Sequence, residues 1–181
     1  LSSYTSDFGD WDIWGRKYAL LGLIAHYEQT GARESLEAAG RAAHAIIRVA
    51  GPGGRKLTET GLAILESLSS SSILEPLALL VRYTGDQEIL QFCEYLVSLW
   101  SEPNAYNSRG MRLVEHALDR VPPLLISSPK SYEMMSCFEG LCELYRVTSN
   151  ERYLDAAQRF AERVMETEIM IVGSASSHEL W

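Results

Sequence analysis

Glu179 is the residue of this 181-residue chain with the strongest claim to chemistry. It stands in Gly173-Ser174-Ala175-Ser176-Ser177-His178-Glu179-Leu180-Trp181, close to an imidazole and an indole and just past the last helical pattern. In that company a carboxyl can be partly desolvated, its pKa raised, and its proton offered to a leaving group as a general acid. On composition alone, the competing reading is a solvated glutamate on a Gly/Ser-rich segment. Trp14, Lys17, Tyr18, Tyr132, Glu133 and His178, together with Trp11, are the residues expected to build a binding site around it. Most fall at the mouths of apolar helices, where rings stack on flat ligand faces and charged groups bond hydroxyls. Taken singly, each is more often a core aromatic or a rim charge.

Other chemistries find little support. Cys93, Cys137 and Cys142 are odd in number and sit in apolar helical patterns, so they read as small core residues rather than a disulfide framework. Cys137 and Cys142 are five apart and do not share a helix face, so no metal site is expected in this chain. His26 and His44 lie in helical patterns and His116 in an irregular one, with no metal-ligand spacing, which gives them structural roles. No P-loop, dinucleotide glycine pattern or Ser-centred nucleophile elbow occurs. The net charge of -8 and a pI near 5.0, with no run among the 16 Lys and Arg residues, argue against a nucleic-acid partner. No stretch of about 18 apolar residues offers a membrane span, and no charged start leads into a cleavable apolar segment. The chain begins at Leu1 without Met and stops at apolar Trp181, which reads as a piece cut from something longer. The compartment is therefore left open, with the cytoplasm a guess.

The elements that must position these residues are helical. From Trp11 the chain runs through Trp14 and Tyr18 into Ala19-Leu20-Leu21-Gly22-Leu23-Ile24-Ala25, apolar nearly all round and so expected to be buried on all sides. Thr30-Gly31 ends it, and a two-faced return helix follows from Arg33 to Val49. Gly51-Pro52-Gly53-Gly54 breaks the pattern, with a short helix expected around Gly61 to Ser67. Ser69-Ser70-Ser71-Ser72 is expected to cap an apolar helix from Ile73 to Tyr83, with Pro76 in its first turn. A second return helix spans Glu88 to Trp100. Residues 103–129 are irregular around a short helix near Arg109 to Leu118. The hairpin from Ser131 to Glu168 then leads to Ile169-Met170-Ile171-Val172, expected to be a strand or a buried extended segment. Gly22 and Gly140 are expected to serve close helix packing.

The hairpins repeat. Anchored on Thr30, Thr84 and Thr148, they align Tyr27, Val81 and Tyr145 three residues before and Leu36, Leu90 and Leu154 six after. The intervals of 54 and 64 residues exceed those of tetratricopeptide or HEAT repeats, roughly 34 and 40, and the excess lies between hairpins. Apolar first helices and two-faced second helices imply an inner and an outer layer. The expected fold is all-α: hairpins at about 11–50, 69–101 and 131–168 with a tail at 169–181, making about half of an (α/α)6 toroid.

Several blocks carry a resemblance: Trp14-Gly15-Arg16-Lys17-Tyr18 with Gly22-Leu23, Lys130-Ser131-Tyr132-Glu133-Met134-Met135-Ser136-Cys137-Phe138-Glu139-Gly140-Leu141, Tyr145-Arg146-Val147-Thr148, and Val172-Gly173-Ser174 with Glu179. Together they resemble the DUF1680 proteins, which are related to the family 127 β-L-arabinofuranosidases. The resemblance implies an (α/α)6-barrel glycoside hydrolase acting on oligosaccharides, with Glu179 at the family's acid/base position. It further implies a zinc-bound cysteine nucleophile whose Glu-x-Cys and Cys-Cys motifs lie downstream of the acid/base, beyond Trp181. No zinc or other cofactor is thus expected on these residues, zinc belongs to an intact parent, and the 181 residues alone are expected to be inactive. Where the arabinofuranosidases present substrate-facing histidines, this chain has Tyr18 and Ser or Tyr residues. The partner expected is a carbohydrate, with no nucleic acid and no membrane. Self-association through exposed inner helices is also expected. The alternative is a helical-repeat protein-binding scaffold without catalysis, in which the segment from Gly173 is disordered.

Overall fold

The computed structural model describes residues 9–60 and 66–181, without the side chain of Asp10. Tyr4 and Phe8, and most of the short helix expected from Gly61, lie outside the described residues.

Three antiparallel hairpins form the body: α1 (Asp10–Thr30) with α2 (Arg33–Ala50), α4 (Leu74–Thr84) with α5 (Gln87–Leu99), and α7 (Ser131–Thr148) with α8 (Glu151–Thr167). Two short helices, α3 (Leu68–Ser71) and α6 (Leu113–Leu118), lie in the connections. Among the described residues there is no strand, only isolated bridges. The first helix of each pair forms the inner layer and the second the outer, giving about half of an α/α toroid.

The repeated threonine marks how each inner helix stops. Thr30 Oγ1 donates to the His26 carbonyl (2.6 Å) and accepts the Ala32 N–H (3.2 Å). Thr84 and Thr148 make the same pair of bonds with Leu80 and Asp86, and with Leu144 and Asn150. The residue after each threonine is left-handed, Gly31 at φ 72°, Gly85 at φ 68° and Ser149 at φ 56°, and its N–H closes on the carbonyl of Tyr27, Val81 or Tyr145. The aligned position three residues before the threonine is therefore the carbonyl that the left-handed residue caps.

Inner helices differ in how much they bury. Central α4 hides Leu74, Pro76, Leu77, Ala78, Leu80 and Val81, with α7 on one side, α1 on the other and α5 outside. Close approach to α7 depends on Gly140, where a Cβ would lie 2.9 Å from the Glu75 nitrogen and from Leu74 Cβ. Helix α1 corrects the expectation of burial on all sides: only Ile13, Lys17, Leu20 and Ile24 are buried, while Trp11 is 60% and Tyr18 42% exposed. The reason is position, since α1 has an inner neighbour on one side only. Gly22 lies on the open face, with nothing within 4 Å of the place a Cβ would occupy, so it serves no close packing.

Two further expectations fail locally. The serines before α4 do not cap it: Ser69 to Ser72 are all buried, and Ser70 Oγ donates to the Leu57 carbonyl (2.8 Å) instead. Helix α3 runs almost directly into α4 through Ile73, so the carbonyls of Ser72 and Ile73 accept the N–H groups of Glu75 and Leu77 in the first turn of α4. Residues 169–172 form neither a strand nor a buried segment but an exposed turn, closed by Met170 N–H to Ser174 O (2.8 Å) and Gly173 N–H to Met170 O (2.8 Å). With no facing element to cover them, their apolar side chains stay in water.

The two rims differ in length of chain. Two-residue links join inner to outer helices at one end, while the long connections after α2, α5 and α8 gather at the N-terminal ends of the inner helices.

Candidate functional site

At that second rim α1 and α7 bring an aromatic cluster together. The Trp14 indole meets Trp11, Tyr18 and Tyr132 edge-on at 6.3, 5.4 and 5.6 Å between ring centroids. The Tyr18 and Tyr132 hydroxyls are hydrogen-bonded to each other. Partial burial and that bond push the Tyr18 phenol up, so it stays protonated and available as a donor. Lys17 is 1% exposed beneath this cluster. Its ammonium pairs with Glu75 of α4 at 3.1 Å and lies 5.3 Å from the Trp14 ring, charge and quadrupole together offsetting its burial.

The tail reaches the same place from the far end of the sequence. After α8 the chain turns at Met170 to Ser174 and runs back against the start of α7. The backbone N–H and Oγ of Ser131 both donate to the Glu179 carbonyl (3.0 and 3.1 Å), and Trp181 N–H donates to Pro129 O (3.0 Å). The Trp181 ring lies edge-on to Phe160 of α8, whose other neighbour, Phe138 of α7, stacks on it at 3.8 Å. His178 and Glu179 are left-handed at φ 53° and 66°, a conformation that costs a residue with a side chain about 1–2 kcal/mol and is held here by these bonds.

A cavity of about 450 Å³ results, walled by Trp11, Trp14, Tyr132, Glu133, Ser176 and Glu179 with Ser131 and Met135. Of the residues singled out in the sequence, Trp14, Tyr132, Glu133 and Glu179 thus share one cavity, Lys17 and Tyr18 back its wall, and His178 points to solvent, bonded to Ser177 Oγ (2.9 Å). Ser131, Met135, Ser176 and above all Lys130 were not anticipated. Lys130 Nζ pairs with Glu179 Oε2 at 2.5 Å. This bond holds the Glu179 carboxyl below the usual carboxylate range, opposite to the rise that desolvation was expected to cause, because the side chain is 72% exposed and next to a cation. Glu133, in the first turn of α7, is 5% exposed, and its Oε2 has no hydrogen-bond partner. An unbonded buried carboxylate oxygen is a group that a ligand hydroxyl would stabilise.

A larger groove of about 640 Å³ runs between α1 and α2, but Ala19, Gly22, Ala38, Ala42 and Ala45 dominate its walls and it offers no carboxylate or imidazole. The cysteines do not fit a zinc–thiolate centre. Cys93 is buried in α5 and its thiol is pushed up by burial, Cys137 donates to the Leu68 carbonyl (3.6 Å), and half-buried Cys142 is raised likewise. No three His, Cys, Asp or Glu residues among those described gather as ligands.

The family model described as β-L-arabinofuranosidase, GH127 catalytic domain, matches residues 3–181. No curated protein and no solved structure matches the chain.

Proposed function

The chain belongs to the β-L-arabinofuranosidase GH127 catalytic-domain family, and from that premise we propose that the cavity between α1, α7 and the tail is the sugar-binding part of a glycoside hydrolase site, with Glu179 as its acid/base. One observation carries the proposal: two indoles from α1 and a carboxylate some 168 residues later in sequence line the same cavity. Trp11, Trp14 and Tyr132 offer ring faces and edges to a sugar, and Tyr18 and Glu133 offer a hydroxyl and a carboxylate near the same wall. A tail pinned to Ser131 at the start of α7 and to Pro129 just before it favours this reading over a protein-binding scaffold, for which a loose tail was expected.

As it stands, paired with Lys130, Glu179 is ionised and suited to accept a proton. To act as an acid it must first gain one. A sugar entering the cavity displaces water, weakens the Lys130 contact and raises the carboxyl pKa, after which the proton passes to the glycosidic oxygen as its bond to the anomeric carbon breaks and the cysteine nucleophile that the resemblance places beyond Trp181 bonds that carbon. Glu179 then takes a proton from the water that attacks the anomeric carbon and displaces that cysteine. Replacement of Lys130 by Met is expected to raise the Glu179 pKa, read by carboxyl NMR titration; an unchanged titration would remove Lys130 from this account.

Neither Glu-x-Cys nor Cys-Cys occurs in the 181 residues, and the three cysteines stand within helices, so this chain brings no nucleophile to Glu179. It is expected to bind arabinofuranosides and not to hydrolyse them. Tryptophan fluorescence titrated with an aryl arabinofuranoside should report saturable binding, weakened about tenfold or more in Trp14→Ala. Absence of binding overturns the cavity assignment, and turnover that disappears in Glu179→Gln overturns the inactivity.

A further inference from the structure

A second cavity, of about 290 Å³, opens among the long connections of the same rim. Its walls include Glu66, Asn107, Arg109, Arg112, His116 and Ser127. In a protein of net charge -8, two guanidinium groups and an imidazole crowded at one mouth need an explanation. Neither arginine side chain pairs with a carboxylate among the described residues, and residues 61–65, Gly-Leu-Ala-Ile-Leu, carry no charge that would do so. The one acid in the wall is already engaged: Glu66 Oε2 accepts from Asn107 Nδ2 (3.1 Å) and Ser127 Oγ (2.8 Å). One negative charge against two positive ones leaves the cavity cationic.

The loop that presents the arginines is built rather than slack. Asn104 Oδ1 accepts the N–H groups of Tyr106 and Asn107 at 2.9 Å each, and Asn107 Oδ1 accepts that of Arg109 at 3.0 Å. Gly110 turns the chain at φ 72°, where a Cβ would strike the Trp100 and Glu102 carbonyl oxygens at 2.7 Å. Arg112 itself is left-handed at φ 49° and is held by its N–H to Trp100 O (2.8 Å). His116 reports the resulting field. Burial first, then Arg112 and, more weakly, Arg109, lower its pKa, while Asp119 and Glu115 oppose them without prevailing. The ring is therefore neutral near pH 7, with an N–H to give.

We propose that this cavity binds the carboxylate of an acidic sugar, the oxyanion seated between Arg109 and Arg112 with donors from His116 and Asn107 around it. Guanidinium forks match a carboxylate with paired N–H bonds, and they lose less on desolvation than an ammonium would. A cavity of 290 Å³ suits one monosaccharide rather than a chain. It also lies next to the aromatic cavity in sequence: Ser127 walls one and Ser131 the other, a separation of at most about 14 Å of extended chain. Occupation of both by one oligosaccharide would rest on the glycosidase reading, whereas the oxyanion site stands without it.

The test uses the His116 ring signal in NMR, assigned by His116→Gln, at constant ionic strength. Sodium glucuronate is expected to shift it saturably and raise its titration midpoint, because a bound anion cancels the arginine field, and D-glucose is expected to do neither. Arg109→Gln, at an exposed position outside every helix, should weaken the effect about tenfold, and Arg112→Gln with it further. Trp14→Ala should leave the glucuronate effect intact, which separates this site from the aromatic cavity. Inorganic phosphate binding far more tightly than glucuronate would replace the acidic sugar by free phosphate and overturn that part of the assignment. No saturable shift with either anion, or an undiminished shift without the arginines, overturns the site itself.

Discussion

The two rims of the half-ring solve the same problem, turning the chain between antiparallel helices, by opposite means. At the short rim each turn is made by three consecutive residues: a threonine that bonds back to its own helix, a left-handed residue, and a residue that starts the outer helix. At the long rim the turns are held by partners far apart in sequence, Lys130 with Glu179, Ser131 with the Glu179 carbonyl, Glu66 with Asn107 and Ser127. Local turns repeat. Non-local turns differ from one another, and the cavities that hold Glu179 and the Arg109–Arg112 pair are found among them. A repeated frame thus leaves its irregular side free for recognition.

The largest test of that contrast is Phe160→Ala. Phe160 stacks on Phe138 within the hairpin and touches Trp181 of the tail, so it joins the regular core to the irregular rim. Its loss should cost about 3–5 kcal/mol in chemical denaturation. The tail should loosen first, so Trp181 fluorescence is expected to change at lower denaturant than helical circular dichroism. Coincident transitions would mean that the two rims are a single cooperative unit.

Smaller effects separate the three short turns. Asp86 Oδ1 accepts the N–H groups of Glu88 (3.0 Å) and Ile89 (3.2 Å), Asn150 Oδ1 accepts that of Arg152 (3.2 Å), and Ala32 at the same place offers nothing. Yet all three backbones are nearly alike, φ/ψ being -66/98°, -66/112° and -79/100°. Asp86→Ala should therefore cost about 1–2 kcal/mol, and Ala32→Asp should gain about 0.5–1 kcal/mol, by thermal or urea unfolding. Burial disfavours the Asp86 charge, but the N–H groups of Ile89 and Glu88 and the His44 ring outweigh it and hold the pKa down. A folded pKa below the unfolded one stabilises the protein above the ordinary aspartate range, about pH 4, and that contribution fades as pH falls through the depressed value. The difference between the wild type and Asp86→Asn should fade over that interval, and a gap that persists below it would show that geometry rather than charge makes the cap.

The same division explains what the sequence made legible. Thr30, Thr84 and Thr148 and the apolar positions around them can be read because their partners lie within four residues, and the boundaries of α2, α5, α7 and α8 follow from that. Exposure of Trp11 and Tyr18 could not be read, since an apolar helix shows its composition and not its number of neighbours. Trp14, Tyr132 and Glu179 were recognisable as a group through side-chain type and resemblance. Lys130, which sets the ionisation of Glu179, was hidden by a separation of 49 positions in sequence. The expectation that Ser69 to Ser72 cap α4 failed for a related reason: a serine run before a helix suggests a side-chain cap, but the backbone carbonyls of Ser72 and Ile73 already meet N–H groups of the first turn of α4.

The smallest effect discriminates most finely between local and tertiary control of the short rim. Gly31 and Gly85 occupy the left-handed cap of the first two hairpins, but the third has Ser149 at φ 56°, ψ 23°. A Cβ there costs about 1–2 kcal/mol, while glycine adds freedom to the unfolded chain worth about 0.4–1 kcal/mol in the other direction. Ser149→Gly is thus expected to stabilise the protein by roughly 0.5 kcal/mol, a small rise in the unfolding midpoint with the same denaturant dependence. The Ser149 N–H to the Tyr145 carbonyl (2.7 Å) survives the change, and Ser149 is exposed, so little else is altered. A loss of stability would mean that the serine hydroxyl supports the turn and that the three short turns are not equivalent after all.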